Sequence, residues 1–130
     1  MAGDAGPPRA GASAPFPAGA DADGYLVVAR QGDVPPGTLR RVDYGSEPVV
    51  LANVGGRLHA LADTCLHAGA TLSEGTVRAS SVVCPWHAWT YDPASGQVLM
   101  PRSTGLCIAT YPVRVDGEGI AIGPRRGPAD

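Results

Sequence analysis

The sequence predicts an all-β, loop-rich domain. Eighteen glycines and thirteen prolines in 130 residues supply many turns. Short apolar runs recur between those turns. No window of eleven or more residues carries a 3.6-residue apolar period. Apolar residues reach 44%, enough for a core, and charged residues only 17%. The formal net charge of −2 argues against a nucleic-acid partner, which would select a strongly basic surface. It equally argues against a highly charged disordered chain.

Residues 1–23 are dominated by Ala, Gly, Pro and Asp with a single Phe16. Such a segment buries too little apolar surface to offset its ordering entropy, so a disordered tail is expected there. The domain is expected over residues 24–122, with a short second tail at 123–130. Tyr25–Ala29 opens it as an apolar strand, stopped by the turn formers of Gln31–Gly37. Leu39–Tyr44 alternates loosely, as an edge strand does. Pro48–Val54 is apolar and β-branched, which suits a buried strand. Gly55-Gly56 supplies a two-residue hairpin turn, and Arg57–Ala62 returns as its partner. Asp63–Gly75 reads as a loop, Val82-Val83 as a brief strand, and Gln97–Met100 as another after the turn at Asp92–Gly96. Ile108–Val115 and Gly119–Ile122 form a last hairpin, for roughly eight to ten strands. No stretch approaches 18 apolar residues, and the N-terminus lacks a basic-then-apolar leader, so a cytoplasmic protein without a membrane span is expected.

The chemistry concentrates in two short segments, Cys65-Leu66-His67 and Cys84-Pro85-Trp86-His87, with sixteen residues between His67 and Cys84. Three cysteines at wide spacing make a poor disulfide framework, and metal-binding thiols fit better. Two thiolates and two imidazoles suit a tetrahedral zinc or a [2Fe-2S] cluster with Cys on one iron and His on the other. Zinc sites usually group Cys with Cys and His with His. Here each segment carries one of each, which suits loops that reach across both irons.

The two segments resemble the Rieske-type iron–sulfur proteins. Cys65-Leu66-His67-Ala68-Gly69-Ala70-Thr71-Leu72-Ser73-Glu74-Gly75 follows that family's C-x-H-x-G-x-x-L-x-x-G pattern. Cys84-Pro85-Trp86-His87-Ala88-Trp89-Thr90-Tyr91-Asp92, continuing to Gly96, is similar to its C-P-x-H-G-W-x-F/Y-D…G pattern. Ala88 departs from it, since the family often has Gly there; if the backbone needs φ above zero, Ala stores strain. The resemblance implies three small antiparallel sheets with two cluster-binding loops, the cluster-binding part spanning about residues 63–105. It implies one [2Fe-2S] cluster held by Cys65, His67, Cys84 and His87, and a third loop containing Pro at Met100-Pro101-Arg102. The respiratory members' extra cysteines would fall at Ala70 and Trp86, and their Ser donor at Trp89, so neither device is kept. Tyr91 retains the hydroxyl of that pattern. Losing two of three such devices points to the low end of the Rieske range, about −150 mV. Gly69 and Gly75 are expected to shape the first loop, Leu72 and Trp86 to shield the cluster, and Pro85 and Pro101 to stiffen their loops.

The resemblance implies a one-electron carrier, a ferredoxin that takes electrons from a flavin-dependent reductase and passes them to a terminal, ring-hydroxylating type of oxygenase. Docking is expected on the rim of Leu66, Pro85, Trp86 and Pro101, with the protein a monomer. The runner-up is a small Rieske subunit of an assimilatory nitrite reductase; a zinc-stabilised interaction module is a third reading. A terminal oxygenase is excluded by count. Its mononuclear iron needs two more His and a carboxylate, and only His59 remains of three histidines. His59 is expected to face solvent from its hairpin strand, and Cys107 to be a small buried core thiol.

Overall fold

Val49, Val50, Leu51 and Ala52 have essentially no exposed surface, and this run organises the molecule. Side chains alternate across a strand, so Val49 and Leu51 enter one apolar core while Val50 and Ala52 enter another. The strand that carries them therefore lies in a central sheet. Each Leu or Ile buried this completely contributes about 2–3 kcal/mol.

The computed structural model describes residues 16–66, 69–86 and 88–127. Among these residues eleven strands form three antiparallel sheets. The central sheet has the order β2 (Leu39–Tyr44), β3 (Glu47–Val54), β4 (Arg57–Ala62), β9 (Thr110–Tyr111). A three-stranded sheet of β1 (Leu26–Arg30), β11 (Gly119–Ile122) and β10 (Val113–Asp116) covers one face of it. Ala29, Ile120 and Ile122 meet Val49, Leu51 and Ala60 there. The third sheet runs β5 (Thr76–Arg78), β6 (Ser81–Val83), β7 (Thr90–Tyr91), β8 (Val98–Met100). It covers the other face, where Val82, Tyr91 and Val98 meet Val50, Ala52 and Leu61.

The all-β class and the three sheets agree with expectation, and β2, β4 and β11 keep their predicted bounds. Leu39–Tyr44 is an edge, paired only with β3. The expected strand Ile108–Val115 divides at Pro112. Its first part pairs with β4 as β9 and its second with β11 as β10. Proline has no N–H for a ladder, so the chain changes sheet where the proline stands. Two strands, β5 and β7, are additional to those expected. The β5–β6 hairpin turns at Ala79-Ser80 with Ala79 at φ 54°, and neither residue signals such a turn in sequence.

Residues flanking the expected domain also contact it. Asp21 accepts the backbone N–H groups of Asp23 and Tyr25 and pairs with Arg114 at 2.6 Å. The Arg114 guanidinium lies 4.1 Å above the Tyr25 ring. At the other end Arg126 exchanges two backbone hydrogen bonds with Thr110. Residues 16–23 and 123–127 thus join the domain surface, while residues 1–15 and 128–130 lie outside the described residues. Among the described residues no helix is long and apolar enough to cross a membrane.

Candidate metal centre

Three loops meet at one end of the third sheet. The first leaves β4 and returns at β5. Its turn is fixed by the Cys65 N–H donating to Ala70 O at 2.8 Å and the Gly69 N–H donating to Cys65 O at 2.9 Å. Gly69 takes φ 67°, a left-handed conformation suited to glycine. The loop ends in a 3-10 turn, Leu72–Glu74, which plants Leu72 in the core with no exposed surface.

The second loop joins β6 to β7. The Cys84 N–H donates to Trp89 O at 2.7 Å, closing a turn in which Ala88 sits at φ 56°. The positive φ foreseen for this position is therefore present, and an alanine occupies it. The first loop ends against β6 at Gly75, where a Cβ would stand 2.0 Å from Val83 O at the start of the second loop. Only glycine allows the two backbones to approach so closely. The third loop follows β8. Met100 and Pro101, joined by a cis peptide bond, line a hollow of about 290 Å³ together with Ala88 and Trp89 of the second loop.

Cys65 and Cys84 are brought together. They are 1% and 2% exposed, share a side-chain hydrogen bond, and lie in the same core as Leu72 and Tyr91. Their sulfurs face polar donors. The Trp86 N–H donates to Cys84 Sγ at 3.4 Å. Tyr91 Oη lies 3.2 Å from Cys65 Sγ and accepts the Leu66 N–H at 3.0 Å. Burial, reinforced by the neighbouring Cys65 sulfur and opposed by the Trp86 N–H, pushes the Cys84 thiol up to about 11. Burial first, and then the contact with Cys65, raises Tyr91 as well. A thiol in such a place ionises only when a cation compensates it. A pair of adjoining buried thiols supplied with N–H and O–H donors fits a metal-thiolate group, and no disulfide links the cysteines. His67, His87 and Ala68 lie outside the described residues, so the nitrogen half of the expected ligand set is not placed here.

The expected rim is exposed: Leu66 at 44%, Trp86 at 56%, and Pro85 and Pro101 with them. Trp86 thus stands at the surface beside the site, whereas Trp89 packs part-buried against the core. Cys107 departs from expectation. It is half-buried and lines an open cavity of about 490 Å³ with Cys65, Leu66 and Ile108. His59 is also half-buried, not solvent-facing, and burial lowers its pKa. Sequence reasoning passed over Asp63, whose buried carboxylate takes the Ser73 N–H and hydroxyl across the first loop. Nothing along the chain marks it, since the role appears only where the fold sets Ser73 against it.

A sequence profile of the family described as Rieske [2Fe-2S] domain matches residues 24–112. The chain is 34% identical over 106 residues to ferredoxin CarAc of Metapseudomonas resinovorans, covering 78% of this chain and 96% of that protein. It is 40% identical over 92 residues to the 3-phenylpropionate/cinnamic acid dioxygenase ferredoxin subunit of Escherichia coli K12, covering 69% of this chain and 84% of that one. A solved structure, a complex of reduced oxygenase and oxidized ferredoxin in carbazole 1,9a-dioxygenase, contains a chain that superposes with a TM-score of 0.67. The identity is 31%, with 76% of this chain and 92% of that chain covered. With both loop patterns, the three-sheet fold and these relatives in agreement, the chain belongs to the Rieske [2Fe-2S] domain family.

Proposed function

We propose that this chain is the one-electron carrier of a ring-hydroxylating dioxygenase system. It receives electrons from a flavin-dependent reductase and delivers them to a terminal oxygenase. The relatives named as dioxygenase ferredoxins, and the oxygenase–ferredoxin complex, support this reading over a nitrite reductase subunit or a zinc module. The cluster is held by Cys65 and Cys84 through thiolates and by His67 and His87 through imidazoles. When bound, it supplies one-electron redox chemistry at a potential raised by its neutral nitrogen ligands.

The observation that carries the reading is the buried, adjoining Cys65–Cys84 pair whose chain neighbours Leu66 and Trp86 are exposed. The pair keeps sulfur away from water, while Leu66 and Trp86 offer a small apolar patch. A patch of that kind suits the brief, small-area encounters of redox partners. The Trp86 N–H and the Tyr91 hydroxyl stabilise negative charge on the two sulfurs. The carrier works as a cytoplasmic monomer in this reading.

Anaerobic purification, metal analysis, visible absorption and EPR of the dithionite-reduced chain test the reading. The expected result is a red-brown protein with two irons, the low-average-g signal of a His-ligated cluster, and reduction of a terminal oxygenase by the loaded chain. A colourless protein carrying one zinc overturns it.

A further inference from the structure

Asp63 directly follows β4 and stands two residues before Cys65. Its side chain has no exposed surface. Its own N–H donates to Pro48 O at 3.0 Å, which ties its backbone to β3. Oδ1 accepts the Ser73 N–H, and Oδ2 accepts the Ser73 hydroxyl at 2.7 Å. The guanidinium of Arg41 on β2 lies 4.0 Å from Oδ2 and also faces Asp43 at 3.6 Å. Burying a carboxylate is a poor way to stabilise a fold, because desolvation offsets most of what its partners return. Here both oxygens are directed at a single residue on the far side of the first loop.

We infer that Asp63 is a positioning residue for the cluster: it closes the base of the first loop and so sets where Cys65 stands relative to Cys84. The inference rests on the reading of Cys65 as a ligand. Ser73 belongs to the 3-10 turn whose preceding residue, Thr71, provides no side-chain cap. Asp63 caps that turn from across the loop. The nine residues between Asp63 and Ser73 include Cys65, Leu66 and Gly69, so the clamp fixes both ends of the segment that presents the sulfur. The same turn holds Leu72 in the core shared by Cys65 and Cys84. Opening the clamp leaves the sheets intact and frees the loop, which makes this a local equilibrium distinct from global unfolding. Arg41, anchored on the central sheet, holds the carboxylate's charge in place.

The test compares the full-length, cluster-loaded protein with Asp63→Asn, Ser73→Ala, Ser73→Thr and, as a remote control, Tyr44→Phe. Tyr44 donates to Gly24 O at 2.7 Å, in the core on the opposite face of the central sheet, so its variant weakens the fold without touching the loop. Release of iron to a chelator and the EPR line shape of the reduced protein are read at matched distance below each variant's Tm. Asp63→Asn and Ser73→Ala are expected to release iron about tenfold faster than Tyr44→Phe, as loss of one clamp hydrogen bond would give. They are also expected to show shifted EPR g-values, with Ser73→Thr restoring both readouts. Iron release and g-values equal to those of Tyr44→Phe overturn the role of Asp63 and leave the cluster reading standing. Should Asp63→Asn not fold, Ser73→Ala against Ser73→Thr decides the matter, since the carboxylate and the Ser73 N–H remain. A wild-type chain that holds no two-iron group overturns the ligand reading, and the inference falls with it.

Discussion

The Tyr91 hydroxyl oxygen sits 3.2 Å from Cys65 Sγ while accepting the Leu66 N–H at 3.0 Å. One lone pair is thus occupied by the backbone, and the O–H proton is left to point at sulfur when Cys65 is a thiolate. A hydrogen bond to a thiolate strengthens as negative charge grows, so Tyr91 favours the reduced state. Tyr91→Phe is expected to lower the midpoint potential by about 40 mV, the one-electron equivalent of a net hydrogen bond of about 1 kcal/mol. Redox titration followed by EPR measures it. An unchanged potential would remove Tyr91 from the tuning of the centre.

Ala88 holds φ 56° on an exposed turn. Its methyl group carries a left-handed penalty that glycine avoids. Ala88→Gly is expected to stabilise the protein by about 1 kcal/mol, raising Tm by about 4 °C. A lower Tm would mean that contacts of the methyl outweigh the strain.

Gly75 and Gly69 separate close approach from backbone conformation. A Cβ at Gly75 would stand 2.0 Å from Val83 O, whereas a Cβ at Gly69 meets open space at φ 67°. Gly75→Ala must push the end of the first loop away from β6 and is expected to cost about 3 kcal/mol. Gly69→Ala should cost only about 1 kcal/mol. Urea denaturation of both variants checks the order, and equal costs would contradict the close contact.

Burial raises the Cys84 thiol to about 11 in the metal-free protein, above the usual thiol range. A group whose folded pKa is raised contributes stability below its unfolded value and loses it as pH climbs through the folded one. The metal-free fold is therefore expected to keep its Tm up to about pH 9 and to lose stability progressively toward about pH 11. Tyr91, raised by the same burial, acts in the same direction at higher pH. Thermal denaturation of the metal-free chain across this window is the check; a flat Tm contradicts a buried thiol.

Trp86 is 56% exposed on the rim and contributes its backbone N–H, not its indole, to Cys84. Trp86→Ser is expected to leave potential and Tm unchanged while slowing electron delivery to a terminal oxygenase about tenfold, as loss of an aromatic anchor does. Stopped-flow transfer rates measure it, and unaltered rates would place the docking surface elsewhere.

The all-β class, most strand positions, and Cys65, His67, Cys84 and His87 as a candidate ligand set are legible along the chain. Those features are local: turn formers, period-two apolar runs and fixed spacings act over a few residues. Tertiary structure alone decided the rest. Pro112 splits an apolar run between two sheets, which depends on what each half finds to pair with. Ala79-Ser80 turns a hairpin because the strands beside it pair, not because its residues prefer the turn. Asp63 reads as an ordinary polar loop residue until the chain folds Ser73 against it. Burial of a carboxylate is a property of its surroundings, and no spacing along the chain records it. The approach of Gly75 to Val83 O and the meeting of Cys65 with Cys84 arise in the same way. The first extends the β5–β6 pairing within the third sheet, and the second joins loops far apart in the chain; both depend on which segments the fold sets side by side.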